Sequence, residues 1–512
     1  MIRTWPNVPL FADKLAKNQL VSSAFRMRFS TSSSDRYLLN VENINQNIRR
    51  LEYAVRGPLV IRAGQIQNEL NNGSKKPFQS LIKANIGDCH AMNQKPLTFF
   101  RQVLACATDS ELLKSPDLPN DVKERVRELL EYCGGGSVGS YSDSCGLEII
   151  RKHIADYIEK RDSGVPADWR NVFLCTGASQ GVKTILSFIN QSRKPGKPVG
   201  VMIPIPQYPL YSATVCEFGM LQVNYYLNED SNWRLDINEL EQAFEVNKDN
   251  CDLRAIVVIN PGNPTGSILS EANIIEILNF AAERNLVIMA DEVYQHNVFD
   301  ENSKFVSFKE VMHKKTDHRV ELVSMMSSSK GYMGECGLRG GYCELSNFNE
   351  EVRAVLYKGL SSWLCSSVLG QIIMDCVVNP PKPGGESYDL FESEKSKILA
   401  DLKQKAKVVA DTFNSVPGVR SNPVAGAMYA FPSLHLPPKS IDEAKSLNHE
   451  PDFYYAMQFL ESYGVCVVPG SGFGQRPGTY HFRTTILPQP EVFEDMMDRF
   501  RKFHVNFMNK YS

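Results

Sequence analysis

Lys330 stands in the stretch VSMMSSSKGYMGECGLRGGY, residues 323–342, behind three serines and ahead of Gly331, Gly334, Gly337 and Gly340. A neutral lysine amine attacks an aldehyde to form a Schiff base. Burial and a nearby cation both lower an ammonium pKa, and strand-end burial beside Arg339 is expected to supply both. Asp291 closes the apolar run LVIMAD. A buried carboxylate is costly unless paired, so a cationic partner is expected. Gly177, Ala178 and Ser179 separate the apolar run VFLC from the helical pattern QGVKTILSFI. Their backbone N–H groups therefore lie at a helix N-terminus, where anions bind. Ser327, Ser329 and Arg339 add hydroxyls and a bidentate guanidinium for the same kind of ligand. Taken singly, each has a plainer reading: a lysine in a Gly/Ser loop, an ordinary N-cap.

The elements that position these groups read as an α/β domain. Ile150, Ile154, Tyr157 and Ile158 share one face of an amphipathic helix. VFLC (172–175), VGVMIPI (199–205), AIVVIN (255–260), LVIMAD (286–291) and VELVSM (320–325) are short apolar runs. Strands buried on both faces of a parallel sheet have this composition. The segments after them are GAS, PQYP, NPGNPTG, DEVY and SSSK. Ligands bind beyond the carboxyl ends of strands in open α/β sheets, so one sheet edge is expected to carry a site.

Length and charge narrow the remaining classes. The 512 residues suffice for two domains; 43% are hydrophobic, 22% charged, and the net charge is −2. That balance lacks the basic footprint of a nucleic-acid binder. No apolar run approaches the ~20 residues that span a bilayer. The twelve cysteines form no CxxC pair or zinc spacing and read as free thiols. CGGGSVGS (133–140) and PGSGFGQRPG (469–478) complete no nucleotide-binding loop and read as turns or as backbone close to a ligand. Residues 1–34 are basic, serine-rich and nearly free of acids, as mitochondrial transit peptides are. Met27 offers a second start that would leave a cytoplasmic form. The expected organisation is an N-terminal arm and part of a small domain over 35–120, a large domain over 121–380 and a C-terminal small domain over 381–512. Residues 380–397 read as a mobile connection or lid. Phe493, Met497, Phe500, Phe503 and Phe507 mark the buried face of a final helix.

In their order, these motifs resemble the class I/II aminotransferases, fold type I enzymes dependent on pyridoxal 5'-phosphate (PLP). The resemblance runs from about residue 50 to the end. It is nearest to the alanine aminotransferase branch through YAVRGPLVIRA (53–63), KANIGDCHAM (83–92), GSYSDSCGLEIIR (139–151), NPGNPTG (260–266) and SKGYMGECGLRGGY (329–342). It implies a large, mostly parallel-sheet domain with a smaller α+β domain. It also implies roles: Lys330 carries PLP and moves the substrate proton, and Asp291 pairs with the pyridinium nitrogen. Ala178, Ser179, Ser327, Ser329 and Arg339 hold the phosphate. Asn263 and Tyr294 meet the phenolate oxygen, and Tyr208 stacks on the ring. Arg483, Gly87 and Asn263 receive the substrate carboxylate. The resemblance further implies a cis Asn263–Pro264 bond, and X–Pro is the only common site of that geometry. The implied reaction moves the amino group of L-alanine to 2-oxoglutarate in a homodimer, with no membrane or nucleic-acid partner. A glutamate–glyoxylate aminotransferase or a lyase on the same scaffold would carry nearly the same residues. A non-enzymatic regulator would need an N-terminal DNA-binding module, for which the chain has neither room nor charge.

Overall fold

The computed structural model describes residues 38–52, 57–317 and 319–512. The expected transit peptide and part of the 53–63 motif lie outside the described residues. The described residues 38–50, which end in the short helix Gln46–Arg50, belong to one unit, and the described residues from 51 onward form another.

The centre of the larger unit is a seven-stranded sheet: β1 (Val172–Thr176), β2 (Val199–Ile205), β3 (Leu221–Tyr226), β4 (Asp252–Ile259), β5 (Val287–Asp291), β6 (Leu322–Ser327) and β7 (Gly340–Ser346). Their spatial order is β1-β7-β6-β5-β4-β2-β3. All neighbours are parallel except β7, which runs antiparallel to both β1 and β6. The five expected strands are present. β3 and β7 are additions, and β7 makes the sheet mixed. Successive residues of a strand face opposite sides. Ala255 and Val257 accordingly join one core with the helices Ala178–Ile189 and Leu210–Glu217, while Ile256 and Val258 join another with Glu271–Arg284. Burial on both faces explains why β2, β6 and β7 contain no exposed residue.

Beyond the sheet, a third core unites the helices Thr98–Thr108, Asn120–Glu131, Glu148–Arg161 and Val368–Val378 with residues of β1 and β7. The fourth large core joins residues 59–89 to residues 402–511, including Phe493, Met497, Phe500, Phe503 and Phe507 of the helix Pro490–Tyr511. A small antiparallel sheet there places Phe482–Thr485 between Val468–Pro469 and Tyr429–Ala430.

Residues 380–397 differ from expectation. Only PPKPGGES stays outside a helix; from Tyr388 the chain is one helix to Asn414. YDLFESEKSK supplies good helix formers, and its Phe391 is anchored in the third core while Leu402, Ala406, Val409 and Phe413 lie in the fourth. Ile398 packs against both. The segment is a strut between two cores, held by its buried face.

Candidate active site

The carboxyl ends of the parallel strands meet the small antiparallel sheet at a cavity of about 350 Å³. Every residue singled out for the site lines it: Gly87, Ala178, Ser179, Tyr208, Asn263, Asp291, Tyr294, Ser327, Ser329, Lys330, Arg339 and Arg483. Sequence separations of nearly four hundred residues collapse here because β4, β5 and β6 end together and the strand Phe482–Thr485 faces them.

Lys330 follows β6, and its Nζ donates to the Gly87 carbonyl at 2.8 Å. Burial acts to lower its ammonium pKa and Arg483 adds to that. The Tyr429 hydroxyl and the thiols of Cys336 and Cys89 outweigh both, so the net direction is upward. This corrects the expectation of a depressed lysine. Arg339 does not supply the cation beside it; its Nη2 donates to Ser179 Oγ at 2.8 Å and to the Thr176 carbonyl at 3.1 Å.

Those bonds put Arg339 at the start of the helix Ala178–Ile189. Gly177 caps that helix at φ +71°, and a Cβ there would stand 2.3 Å from the Arg339 guanidinium. Glycine is required on both counts. Ser329 completes the cluster: its N–H donates to Ser327 Oγ at 3.2 Å, and Arg339 Nη1 lies 3.5 Å from its own Oγ. A guanidinium, two serine hydroxyls and a helix N-terminus thus converge as an anion receptor.

Asp291, the last residue of β5, is 6% exposed. The Tyr211 hydroxyl donates to its Oδ2 at 2.8 Å, and the Val293 N–H reaches Oδ1 at 3.4 Å. Burial nevertheless raises its carboxyl pKa above the ordinary range. Among the described residues no cation pairs with Asp291; a phenol stands where a cationic partner was expected. Tyr211 is a functional neighbour that the sequence reading missed. It sits three residues beyond Tyr208, second in the helix Leu210–Glu217, among residues that otherwise read as core.

Arg483 is 2% exposed. Nη1 donates to Asn263 Oδ1 at 3.1 Å and Nη2 to the Asn85 carbonyl at 2.9 Å, while Nε is buried without a partner. Its guanidinium carbon lies over the rings of Tyr429, 4.1 Å from the centroid, and Phe473, 4.7 Å from the centroid. Among the described residues no carboxylate pairs with it. Asn263 Nδ2 also approaches the Tyr294 hydroxyl at 3.5 Å, and the Asn263–Pro264 bond is cis as expected. Asn85 and Tyr429 were the other misses; Asn85 contributes through its carbonyl, which residue type does not encode.

The cavity therefore holds an amine, a buried carboxylate, an anion receptor and a buried arginine fork, the last three without an ion-pair partner among the described residues. Such a set suits a ligand with a cationic centre and two separate anionic groups.

Comparison with known proteins agrees with this inventory. The family model described as aminotransferase class I and II matches residues 108–500. A Danio rerio protein named alanine aminotransferase 2-like is 49% identical over 93% of this chain and 87% of its own. A Dictyostelium discoideum protein named probable alanine aminotransferase, mitochondrial, is 45% identical over 92% of this chain and 90% of its own. Among solved structures, an alanine aminotransferase from Pyrococcus furiosus superposes with a TM-score of 0.71, covering 90% of this chain and 99% of that one at 24% identity. At that identity the likeness speaks for the fold.

Proposed function

The chain belongs to the class I and II aminotransferases, and we propose that it is an alanine aminotransferase using PLP. The reaction is reversible transfer of the amino group of L-alanine to 2-oxoglutarate, giving pyruvate and L-glutamate. The observation that carries this reading is the pair of uncompensated buried charges on one cavity, Asp291 and Arg483, with the Lys330 amine in the same space.

The residues fit the cofactor. Arg339, Ser179, Ser329, Ser327 and the amides at Ala178 suit its phosphate, and Asp291 suits a protonated ring nitrogen. Asn263 and Tyr294 suit its phenolate oxygen, and Tyr208 lines the wall on which its ring would lie. When bound, PLP supplies an aldehyde for amino groups and a ring that accepts the electron pair released at the substrate Cα. The protein supplies the rest. With PLP bound, Lys330 Nζ would be the group that takes the Cα proton, which requires a neutral amine at that moment. Asp291 would hold the protonated ring nitrogen. Arg483, with Asn263 and the Gly87 backbone, holds the α-carboxylate so that the Cα–H bond faces Lys330. Because Arg483 stands on the small antiparallel sheet and Lys330 follows β6 of the large one, one substrate touching both favours closure and exclusion of water.

Replacing Arg483 by glutamine is expected to lower kcat/KM for L-alanine by about 2–5 kcal/mol of transition-state binding, mostly through KM. Steady-state kinetics on the variant checks this; an unchanged KM would move the carboxylate elsewhere.

The reaction itself is tested with L-alanine alone. One equivalent of pyruvate per site should appear and then stop, and 2-oxoglutarate should restart turnover. Continuing pyruvate release without a keto acid would assign a lyase. A glyoxylate pair with a higher kcat/KM than alanine with 2-oxoglutarate would replace the substrate assignment. The proposed assembly is a homodimer and the proposed location the mitochondrial matrix, supported by the basic leader and by the name of the Dictyostelium relative. No helix among the described residues is long and apolar enough to cross a membrane.

A further inference from the structure

Tyr429 belongs to none of the motifs that carry the family resemblance, yet it touches both working ends of the cavity. It lies on the short strand Tyr429–Ala430, paired with Thr485 two residues beyond Arg483, and is 2% exposed. The Arg483 guanidinium carbon lies over its ring, 4.1 Å from the centroid, and also over the Phe473 ring at 4.7 Å. Its hydroxyl accepts from Tyr294 at 3.5 Å. A Cβ at Gly87 would fall 1.9 Å from that hydroxyl and 3.1 Å from Lys330 Nζ. The phenol and the amine therefore crowd the same backbone atom, and only glycine leaves room for both.

We propose that Tyr429 is a positioning residue for the two groups at once. Its ring holds the Arg483 fork in plane for a carboxylate, and its hydroxyl controls the proton on Lys330 whenever that amine is free. An arginine carried on a flexible stem needs such a stack to keep its donors aimed when no carboxylate is present. The hydroxyl half rests on the transaminase reading, in which Lys330 is released and recaptured at each half-reaction.

The surrounding charges give the direction. Burial opposes ionisation of the Tyr429 phenol. Lys330 and Arg483 on either side outweigh burial, and Tyr294 donates to its oxygen, so its pKa falls below the ordinary tyrosine value. Reciprocally, Tyr429 pushes Lys330 upward together with Cys336 and Cys89, against burial and Arg483. Asp291 also faces Lys330 from the end of β5. Without the hydroxyl, Lys330 becomes a weaker base that is neutral at lower pH.

Three variants separate the parts. Tyr429→Phe keeps the ring: KM for L-alanine should stay within about twofold, while the acid limb of the kcat profile moves to lower pH. Tyr429→Leu removes the stack, and KM for L-alanine should rise at least ~10-fold. In the PLP-free protein, tyrosinate absorbance of the wild type should include one phenol ionising below the usual value of about 10. Tyr429→Phe should lack that transition, and Lys330→Ala should move it upward. An unmoved acid limb in Tyr429→Phe, or coincident tyrosinate titrations of wild type and Tyr429→Phe, overturns the hydroxyl role. A wild-type KM in Tyr429→Leu overturns the ring role. If the wild type turns over no amino donor at all, the transaminase reading fails, whereas the tyrosinate titration uses no substrate and still decides the Tyr429–Lys330 pairing.

Discussion

Lys330→Ala is expected to lower transamination by at least ~10⁴-fold, because in the proposed mechanism one side chain supplies both the covalent anchor and the acid–base group. Among the described residues no other amine lines the cavity to replace it. Its location explains the size of the effect. The loop after β6 is pinned on one side by the Arg339–Ser179 bond to the helix start, and on the other by the Lys330 bond to the Gly87 carbonyl. A proton carrier so placed is preorganised, and a solvent molecule in its stead would be neither oriented nor basic enough. Lys330→Arg should be as damaging. It keeps the positive charge but has no accessible neutral form. Single-turnover measurements with L-alanine separate this chemical defect from weak binding, because Arg483 remains to hold the carboxylate. Turnover of Lys330→Ala within tenfold of wild type would remove Lys330 from the mechanism.

How much of this was legible in the residues depended on whether the information was local. β1, β2, β4, β5 and β6 are buried on both faces and so are continuous apolar runs, which a chain displays openly. β3 is an edge strand, LQVNYY, with an exposed asparagine, and its pattern is too mixed to stand out. β7 was hidden by its glycines. GGYCELS reads as a loop, yet a Cβ at Gly340 would stand 2.5 Å from the Gly370 carbonyl and one at Gly341 2.8 Å from the Gly177 backbone. The glycines are there because β7 is squeezed against a helix and a turn, a tertiary fact that local propensity does not encode. The same division holds in the site. Lys330, Asp291 and Gly177–Ser179 sit in short motifs with a mechanical reason behind each residue. Tyr211 and Tyr429 are single aromatic residues in otherwise apolar contexts, and only the fold shows that their hydroxyls point at Asp291 and toward Lys330. The ionisation of Lys330 was read with the wrong sign for a related reason. Burial and Arg339 were visible in the sequence, whereas Tyr429, Cys336 and Cys89 arrive from elsewhere in the chain.

Asp291→Asn should reduce kcat by ~10²–10³-fold with little change in KM, since the side chain acts on charge that develops only as the Cα–H bond breaks. Asparagine preserves the shape at the end of β5; its oxygen can accept from the Val293 amide while its NH2 donates to the Tyr211 hydroxyl, which turns from donor to acceptor, so a folding defect is not the expected cause. Tyr211→Phe tests the same group more gently. Burial raises the Asp291 carboxyl pKa, while Tyr211, the Val293 amide and Lys330 pull it down. Deleting the hydroxyl removes one of the lowering contributions, so the carboxyl becomes protonated at higher pH. In the proposed mechanism the active form is the carboxylate, so the acid limb of kcat should move to higher pH. That is the opposite direction to the shift expected for Tyr429→Phe, although each variant loses a single phenolic oxygen from the same cavity. Two tyrosine-to-phenylalanine variants that moved the limb in the same direction would show that it does not report on Asp291 and Lys330 separately. A full-rate Asp291→Asn enzyme would remove the buried carboxylate from catalysis altogether.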